Sequence, residues 1–423
     1  MSRTIIDVHV LQTVPPSNLN RDDTGTPKTA VYGGVRRARV SSQAWKRATR
    51  RAFQDLLDPD ELGVRTRRVA ELLAERITAL HPETDTAAAL TMAAETLAAA
   101  TGSKIEVPRR KAESAKRKGE PEPPPESSYL MFLSSRQLDG LARLAIEGAD
   151  DIKAYLKVKA NKEQARRIAD TRHSVDIALF GRMVADSADI NVDAAAQVAH
   201  AISVHQVENE SDYFTAVDDQ NERDDESGAG MIGTVDFNSA TLYRYAALDV
   251  DRLRDNLGAG LRADQPLDEP VRRAVRAFLH GFVASMPTGK MNTFGNHTLP
   301  EAVLVTLRSA RPISFVAAFE EPVLAPQGSG GHLRGACAQL LTHVSEIEKA
   351  YEVTDDPSWV LRAGTATEPL AALGAEVTIG GLLDRVSDAV AERLGPRVPE
   401  ARTAEAGTAE AGAAAPLPAD APA

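Results

Sequence analysis

Residues 17–51 read SNLNRDDTGTPKTAVYGGVRRARVSSQAWKRATRR, and this stretch sets the character of the chain. From Arg21 to Arg51 it holds nine basic residues and two acidic ones, a local charge of +7, whereas the 423-residue chain has a formal net charge of -11. An acidic protein repels a polyanion over most of its surface. The basic stretch is therefore predicted to form a dedicated surface for an anionic polymer.

The local pattern of this stretch predicts how its cations are presented. Prolines and paired glycines over residues 12–34 favour a long loop that ends in a turn, and residues 35–40 alternate as a short strand does. Ser41 or Ser42 then caps a helix over about residues 43–57. The first turn of such a helix offers free backbone N–H groups, which suit a phosphate.

Four residues at the start of this helix form the best-defined candidate site. Gln43, Lys46 and Arg50 are three or four residues apart and share one helical face, and Ser41 lies at the helix start. Hydroxyl and amide groups followed by cations one turn on are typical of phosphate binding. The alternative is a solvated basic face that pairs with acids elsewhere. The clustered upstream cations favour the first interpretation.

Two adjacent carboxylates, Asp22 and Asp23, follow Arg21 in the loop. Such a pair can hold a divalent metal together with phosphates, but a turn cap or an ion pair with Arg21 is the simpler interpretation. The histidines show no spacing typical of metal ligands, and no nucleotide-binding or catalytic-triad motif is present. The sequence therefore predicts no metal, no cofactor and no catalytic residue.

A second candidate site lies in the acidic, polar stretch over residues 206–232, which contains the adjacent aromatic residues Tyr213 and Phe214. Paired aromatic side chains in such a segment can stack on nucleobases. The alternative is that they anchor the segment to the body of the protein.

Hydrophobic periodicity predicts a mixed α+β protein. Strands are expected over residues 4–11, 35–40, 233–247, 302–308 and 313–319, and further helices over 67–78, 86–100, 134–147, 150–158, 160–182, 268–284, 331–350 and 380–394. The charged, proline-rich insert 104–126 and the tail 396–423 are expected to be disordered. The single cysteine, Cys337, excludes a disulfide within the chain and favours a reducing cytoplasm. No apolar run is long enough to span a membrane.

Four segments together carry a resemblance to a known family. They are HVLQTVPPSNLNRDDTGTPKTAVYGGVRRARVSSQAWKRA (9–48), VDIALFGRM (175–183), AHAISVHQVENESDYFTAVDD (199–219) and FNSATLYRYA (237–246). In their order and spacing they resemble the CasC backbone subunit of the type I-E CRISPR Cascade, a member of the RAMP proteins. The resemblance extends from the first strand to about residue 300.

This resemblance implies a hand-shaped α+β fold. The palm is a modified RRM or ferredoxin-like domain with helical fingers inserted into it, and a β-hairpin forms the thumb. Carried onto this chain, the palm takes residues 1–60, 182–205 and 239–395, the fingers take 61–181 with the disordered segment 104–126, and the thumb takes 206–238, before the tail 396–423.

The resemblance also implies which residues contact RNA. The positions that hold the guide-RNA backbone match Arg21, Lys28, Ser41, Gln43, Lys46 and Arg50. Met183 and Phe214 match residues that pack against bases beside a displaced nucleotide. Tyr213 and Thr215 match the thumb tip, which reaches across the RNA segment of the neighbouring copy, and the family has Trp at the position of Tyr213.

The implied function is that of a non-catalytic cytoplasmic subunit in antiviral defence, which polymerises along CRISPR RNA, kinks it periodically and presents its bases to target DNA. The implied partners are the CRISPR RNA, the target DNA, further copies in a head-to-tail filament, and the large, small, guide-processing and 5′-end-capping Cascade subunits. A separate recruited nuclease-helicase would degrade the target. The alternative is a type III-like subunit that cuts target RNA with Asp22 or Asp23 and a divalent metal, and a free-standing RNA chaperone is a third interpretation.

Overall fold

The computed structural model describes residues 3–184, 190–216, 231–262, 265–325, 331–353 and 356–395. Within these residues the fold is a mixed α+β arrangement. The strands are β1 Ile5–Ser17, β2 Thr29–Tyr32, β3 Val35–Val40, β4 Gly63–Thr66, β5 Ile105–Glu106, β6 Glu126–Ser127, β7 Met131–Ser134, β8 Ala196–Val198, β9 Ala201–Ser203, β10 Glu210–Ala216, β11 Met231–Asp249, β12 Ala302–Arg308, β13 Ser358–Arg362 and β14 Ala375–Glu376.

Helices separate and cover these strands. They are α1 Ser42–Leu56, α2 Val69–Leu80, α3 Thr86–Thr101, α4 Arg109–Lys118, α5 Ser135–Glu147, α6 Ile152–Lys157, α7 Lys159–Ala169, α8 Val175–Phe180, α9 Val250–Gly258, α10 Asp268–Ala284, α11 Met291–Phe294, α12 Leu333–Ala350 and α13 Ile379–Leu394. Short 3₁₀ helices occur at Pro59–Glu61, Val316–Phe319 and Thr365–Leu373. No helix in the described part of the chain combines the length and apolarity that crossing a membrane requires.

The main sheet has the order β14-β13-β12-β1-β11-β9-β3-β2, and β8 and β10 also pair with β11. The strand predicted over residues 4–11 is β1, which lies inside the sheet and runs antiparallel to both β11 and β12. Its side chains alternate between two cores. Ile6 and Val8 pack with residues of α10 and α13, whereas Ile5 and Leu11 pack with residues of α12. Helices therefore cover both faces of the sheet.

Strand β1 is longer than the sequence indicates, because it continues through two prolines. Its pairing with β11 shifts between Val14 and Ser17, at the position of Pro15 and Pro16. A proline has no N–H to donate to a ladder, so it is tolerated where the pairing is irregular. The loop predicted over residues 12–34 is therefore shorter than expected: it starts after Ser17 and ends at β2, Thr29–Tyr32.

The helices α2, α3, α5, α6 and α7 form a separate block with its own apolar core. Residues from each of the longer helices are fully buried there, among them Leu73, Leu97, Leu141 and Ala165. The strand pair β4 and β7 joins this block to α8. The block thus corresponds to an insertion between α1 and the later strands of the sheet.

The insert 104–126 differs from the expected disorder. It contains β5, helix α4 and β6, and β5 pairs with β6. Gly119 ends α4 in the left-handed conformation, with φ of 68°, which favours glycine. An ion pair between Lys111 and Glu126 closes the segment onto itself. Charged composition suggested a disordered segment, but this capping and pairing order it. The tail 396–423 lies outside the described residues.

Candidate nucleic-acid interface

The loop between β1 and β2 is closed by the carboxylate of Asp22. Its Oδ1 accepts hydrogen bonds from the hydroxyl of Thr24 at 2.7 Å and from the backbone N–H groups of Thr24 and Thr26 at 3.0 and 3.1 Å. These bonds, the Thr24 hydroxyl first, lower the pKa of Asp22 below its ordinary value. Arg21 and Asp23 are exposed on the same loop. Asp22 therefore shapes the turn.

No group of three or more histidine, cysteine or acidic side chains in the described residues is placed to hold a metal ion. The three hydrogen bonds that the Asp22 Oδ1 atom accepts from Thr24 and Thr26 agree with the simpler interpretation of Asp22 as a turn-forming residue.

Asn20 joins this loop to the start of helix α1. Its side-chain Oδ1 accepts from the backbone N–H of Ser41 at 2.9 Å, and its backbone carbonyl accepts from the N–H of Lys28, also at 2.9 Å. Ser41 is the N-cap, and its hydroxyl accepts from the N–H of Ala44 at 3.3 Å. Arg21 and Lys28 are thereby held beside the N-terminus of α1.

Helix α1 buries one face and presents another. Trp45, Ala48 and Phe53 are buried, while Gln43 is exposed. Lys46 is half-buried, and burial lowers the pKa of its ammonium group. Within the described residues no carboxylate forms an ion pair with Lys46. Its charge is therefore available to an anion from outside the chain.

Arg50 differs from Lys46, although both lie on one helix and were predicted to act together. Its Nε donates to the buried carboxylate of Asp176 at 2.9 Å, and its guanidinium lies 4.6 Å from the ring centroid of Phe132. Asp176 also accepts from the backbone N–H of Gly63 at 2.9 Å. Arg50 thus ties α1 to β4, β7 and α8, and the structure does not bring it to the loop with Lys46.

Two more arginines of the basic stretch form side-chain hydrogen bonds within the protein. The guanidinium of Arg37 is fully buried and donates to four backbone carbonyls, those of Tyr32, Ser203, Phe319 and Glu320. Arg39 donates to the carbonyl of Thr29 at 3.1 Å and contacts His200. Six other cations of the basic stretch have neither an ion pair nor a side-chain hydrogen bond among the described residues: Arg21, Lys28, Arg36, Lys46, Arg47 and Arg51.

Strands β10 and β11 form an antiparallel hairpin that carries Tyr213, Phe214 and Thr215. Tyr213 is 60% exposed and Phe214 40% exposed, so both aromatic rings are accessible. Phe214 pairs with Gly233, and a Cβ at that glycine would lie 2.5 Å from the Phe214 ring. The glycine therefore leaves room for the ring on its own face of the hairpin. Residues 217–230, which connect β10 to β11 in the sequence, lie outside the described residues.

The base of this hairpin is bonded to the basic loop through Asp236. The carboxylate of Asp236 accepts from the hydroxyls of Ser211 at 2.7 Å and Thr26 at 2.8 Å, which lower its pKa. The side-chain amide of Asn18 donates to the Asp236 carbonyl at 2.9 Å and to the Gly25 carbonyl at 2.8 Å. The loop, the start of α1 and the hairpin therefore form one connected surface.

Sequence reasoning missed the residues that build this surface. Asn18, Asn20, Thr26 and Asp236 carry the hydrogen bonds that join its three parts. The available signal was the concentration of Asn, Asp and Thr side chains in the loop, since these residue types bond to nearby backbone groups.

Met183 follows helix α8 by three residues. Its side chain is 83% exposed, directly after the buried Arg182. Arg182 donates to the carbonyl of Ile190 at 2.8 Å and pairs with Asp170 at 3.3 Å, and burial lowers its pKa to about 10. These contacts fix Met183 at the edge of the helical block, apart from the bonds that join loop, helix and hairpin.

This chain is similar to a known protein family and to chains of solved structures. Residues 6–385 match the family described as CT1975-like protein. A chain of a solved structure described as a CRISPR RNA-guided surveillance complex, pre-nicking, is 34% identical with a TM-score of 0.75, over 92% of this chain and 100% of that one. A chain of another CRISPR RNA-guided surveillance complex is 30% identical with a TM-score of 0.66, over 91% and 99%. None of the curated proteins matches.

Proposed function

We propose that this chain, which belongs to the CT1975-like protein family, is a guide-RNA-binding backbone subunit of a CRISPR surveillance complex. Its similarity to chains of two such complexes supports this function. The observation that carries the proposal is the connected surface on which Arg21, Lys28 and Lys46 lie beside the N-terminus of α1. These cations have no ion pair within the described residues.

Phosphate contacts account for how this surface would hold RNA. The cations supply charge, the first turn of α1 supplies N–H groups, and Gln43 adds an exposed amide next to the Ser41 cap. Contacts to phosphates carry no sequence information, so any guide can be held. Arg50 would support this site from behind, since its guanidinium already pairs with Asp176.

The β10–β11 hairpin accounts for the proposed periodic kink in the guide RNA. We place Tyr213, Phe214 and Thr215 over the RNA segment held by a neighbouring copy, with Phe214 and Met183 against bases beside a displaced nucleotide. Exposed aromatic rings stack on bases without sequence preference. The bases between kinks stay open to a complementary DNA strand, so pairing reads the sequence.

The finer assignment is to a CasC-type subunit of a type I-E Cascade in the cytoplasm. Under it, the sheet forms an RRM-like palm, the helical block α2–α7 the fingers and the β10–β11 hairpin the thumb. Copies would join head to tail through unlike surfaces, which gives an open filament. Other subunits would cap it, and a separate nuclease-helicase would cut the target.

Co-purification tests this proposal directly. The full chain, expressed with a CRISPR array and its neighbouring subunits, is expected to purify in a large complex with RNA of repeat–spacer origin. A monomer with random RNA would support an RNA chaperone instead, and the proposal would be wrong.

The alternative, a metal-dependent ribonuclease, gains no support from the loop. The Oδ1 atom of Asp22 already accepts three hydrogen bonds. Magnesium-dependent cleavage of bound complementary RNA that is lost in Asp23→Ala would nevertheless establish it. The proposed function predicts no cleavage by either protein.

A further inference from the structure

His200 lies next to the basic stretch, and none of the roles above uses it. The pairing of β3 with β9 ends at Val40, which lies opposite Ala201. His200 directly precedes Ala201, and Ser41, the N-cap of α1, directly follows Val40. The exposed His200 is therefore placed beside the N-terminus of α1.

The imidazole of His200 shares one face of the sheet with two cations of the basic stretch. Arg39 lies opposite Ile202, and His200 is two residues before Ile202, so alternation puts both side chains on the same face. The Arg39 Nη1 atom is 3.1 Å from the His200 Nδ1 atom. On the other side of Arg39 lies Lys28, whose carbonyl accepts from the Arg39 N–H at 2.9 Å. The three side chains thus form one group.

The contact with Arg39 determines which ring nitrogen of His200 carries the proton. A guanidinium group has only donors, so Nδ1 accepts and the proton of the neutral ring is on Nε2. Burial first, and then the charges of Arg39 and Lys28, lower the pKa of His200 below its ordinary value of 6.5. The ring is therefore neutral at pH 7. Within the described residues, its Nε2 proton has no acceptor.

The surroundings of this free donor suit an anion. Among the described residues, the charged groups that act on the His200 ring are Arg39 and Lys28, both of them cations. Arg39 already donates to the carbonyl of Thr29 and to the ring, whereas the Lys28 ammonium has no ion pair in the described part of the chain. Phosphate is the anion that every nucleotide of a guide RNA carries.

We propose that the Nε2–H group of His200 donates a hydrogen bond to a phosphate oxygen of the guide RNA, beside the Lys28 ammonium, while Arg39 holds the ring in place. The inference rests on the proposed function. Because the ring is neutral, this contact adds affinity without releasing a counterion. It therefore differs in kind from the contact of a lysine.

Two substitutions of His200 separate RNA binding from the positioning of Arg39. His200→Asn keeps an acceptor near the place of Nδ1 and loses the outward donor, whereas His200→Gln keeps an N–H near the place of Nε2 and loses the acceptor. The affinity of the full chain for a synthetic guide RNA is measured at several salt concentrations. His200→Asn should weaken binding about tenfold, the effect of losing one hydrogen bond to a charged group, with the wild-type salt slope. His200→Gln should stay within about twofold of the wild type.

Two further variants serve as controls for this measurement. In Lys28→Ala the salt slope should fall by about 0.7, since a charged contact is lost. His81→Asn should leave both affinity and slope unchanged. His81 caps the end of α2 in the helical block, where its Nδ1 atom contacts the Thr84 hydroxyl.

A chemically modified guide identifies the RNA group that His200 contacts. A methylphosphonate, in which a methyl group replaces one phosphate oxygen, is introduced at one position at a time, and a 2′-deoxy sugar is tested at the same positions. The effects of the methylphosphonate and of His200→Asn should be non-additive by about fivefold at one position per bound subunit. Coupling to the 2′-deoxy sugar instead would show a contact with the ribose and overturn the inference.

The remaining outcomes separate this inference from the function on which it rests. Wild-type affinity in His200→Asn, together with weakened binding in Lys46→Ala, would leave the proposed function standing and the inference wrong. Weaker binding by His200→Gln than by His200→Asn would show that His200 only positions Arg39, which also overturns the inference. A wild-type chain that binds no guide RNA would make both wrong. Should His200→Asn fail to fold, His200→Ala takes its place in the experiment with the modified guide.

Discussion

Lys46 and Arg50 lie one turn apart on helix α1 and carry the same charge, but they have different partners. In the first half, Lys46 has no ion-pair partner within the described residues and lies beside the capped N-terminus. In the second half, Arg50 pairs with the buried Asp176 and contacts Phe132. The difference comes from what each half packs against, not from the sequence of the helix itself. A cluster of cations in sequence therefore overstates the charge that a surface offers.

The basic stretch as a whole contains both kinds of cation, those bonded within the protein and those without a partner among the described residues. Arg37 and Arg39 donate to backbone carbonyls of the sheet, whereas the side chain of Arg36, on the same strand β3, is exposed. Cations that satisfy buried carbonyls stabilise the fold, whereas the proposed function assigns RNA binding to the cations that are unpaired within the described residues. Each prediction below separates these two uses.

The largest expected effect is on stability, at Arg37. Arg37→Ala leaves four carbonyl groups without their donor, so the free energy of unfolding should fall by about 4 kcal/mol. Urea unfolding measures it. Arg36→Ala, one residue away and exposed, is the control and should change stability by less than about 0.5 kcal/mol. Equal effects of the two substitutions would contradict the division.

A smaller loss of stability is expected at Arg50. Arg50→Ala leaves the buried carboxylate of Asp176 without its ion-pair partner, with only its hydrogen bonds to Gly63 and Ser174 remaining. The free energy of unfolding should fall by about 2 kcal/mol, less than for a fully buried pair because the arginine is partly exposed. In a double-mutant cycle, adding Asp176→Asn should recover part of this loss. Additive effects of the two substitutions would show that the ion pair is unimportant.

Acid should destabilise the folded protein through the buried His205. Burial, with smaller contributions from His332 and Arg37, lowers its pKa to about 4, against an ordinary value of 6.5. Between these two pH values the unfolded chain binds a proton that the native chain does not, so stability falls as pH drops from about 6.5 to 4. His205→Gln should remove about 3 kcal/mol of this acid-induced loss.

The pH dependence of unfolding in the wild type and in His205→Gln checks this prediction. His9 and His173, whose pKa values are also lowered by burial, to about 3 and about 4, retain their share of the slope in both proteins. Burial raises the pKa of Asp7 to about 6, and this group acts with the opposite sign. Parallel curves for the two proteins would refute the assignment to His205.

Local signals in the sequence were sufficient for much of the fold. The predicted helix 268–284 is α10, and the expected cap at Ser41 or Ser42 is Ser41. The predicted strand 313–319 is wrong, and the segment ends in a 3₁₀ helix instead. Its backbone N–H groups at Ile313 and Phe315 donate to the side chains of Asp7 and Tyr243, not to a neighbouring strand. No local pattern reveals acceptors so distant in sequence.

The prediction of one helix over residues 160–182 is wrong for the same reason. The segment forms two helices, α7 and α8, separated by a turn at Arg172, where φ is 54°. Side chains of α5 and its cap take the carbonyls in this turn, because Gln137 donates to Thr171 and Ser134 donates to Arg172. Contacts across the block override the helical periodicity.

The candidate site shows a similar limit. The cluster of cations and the exposed aromatic pair could be predicted, since both are visible in composition. Which cations are free could not, because the partner of Arg50 is 126 positions away and an acceptor of Arg37 is 166 positions away.

The salt dependence of guide-RNA binding tests the central claim most directly. The logarithm of the association constant is measured against the logarithm of salt concentration for the wild type, Lys46→Ala and Arg50→Ala, with each variant corrected for its folded fraction. Lys46→Ala should weaken binding about fivefold and reduce the slope by about 0.7, the contribution of one phosphate contact on a single strand. Arg50→Ala should keep the wild-type slope. A wild-type slope in Lys46→Ala, or a reduced slope in Arg50→Ala, would contradict the account.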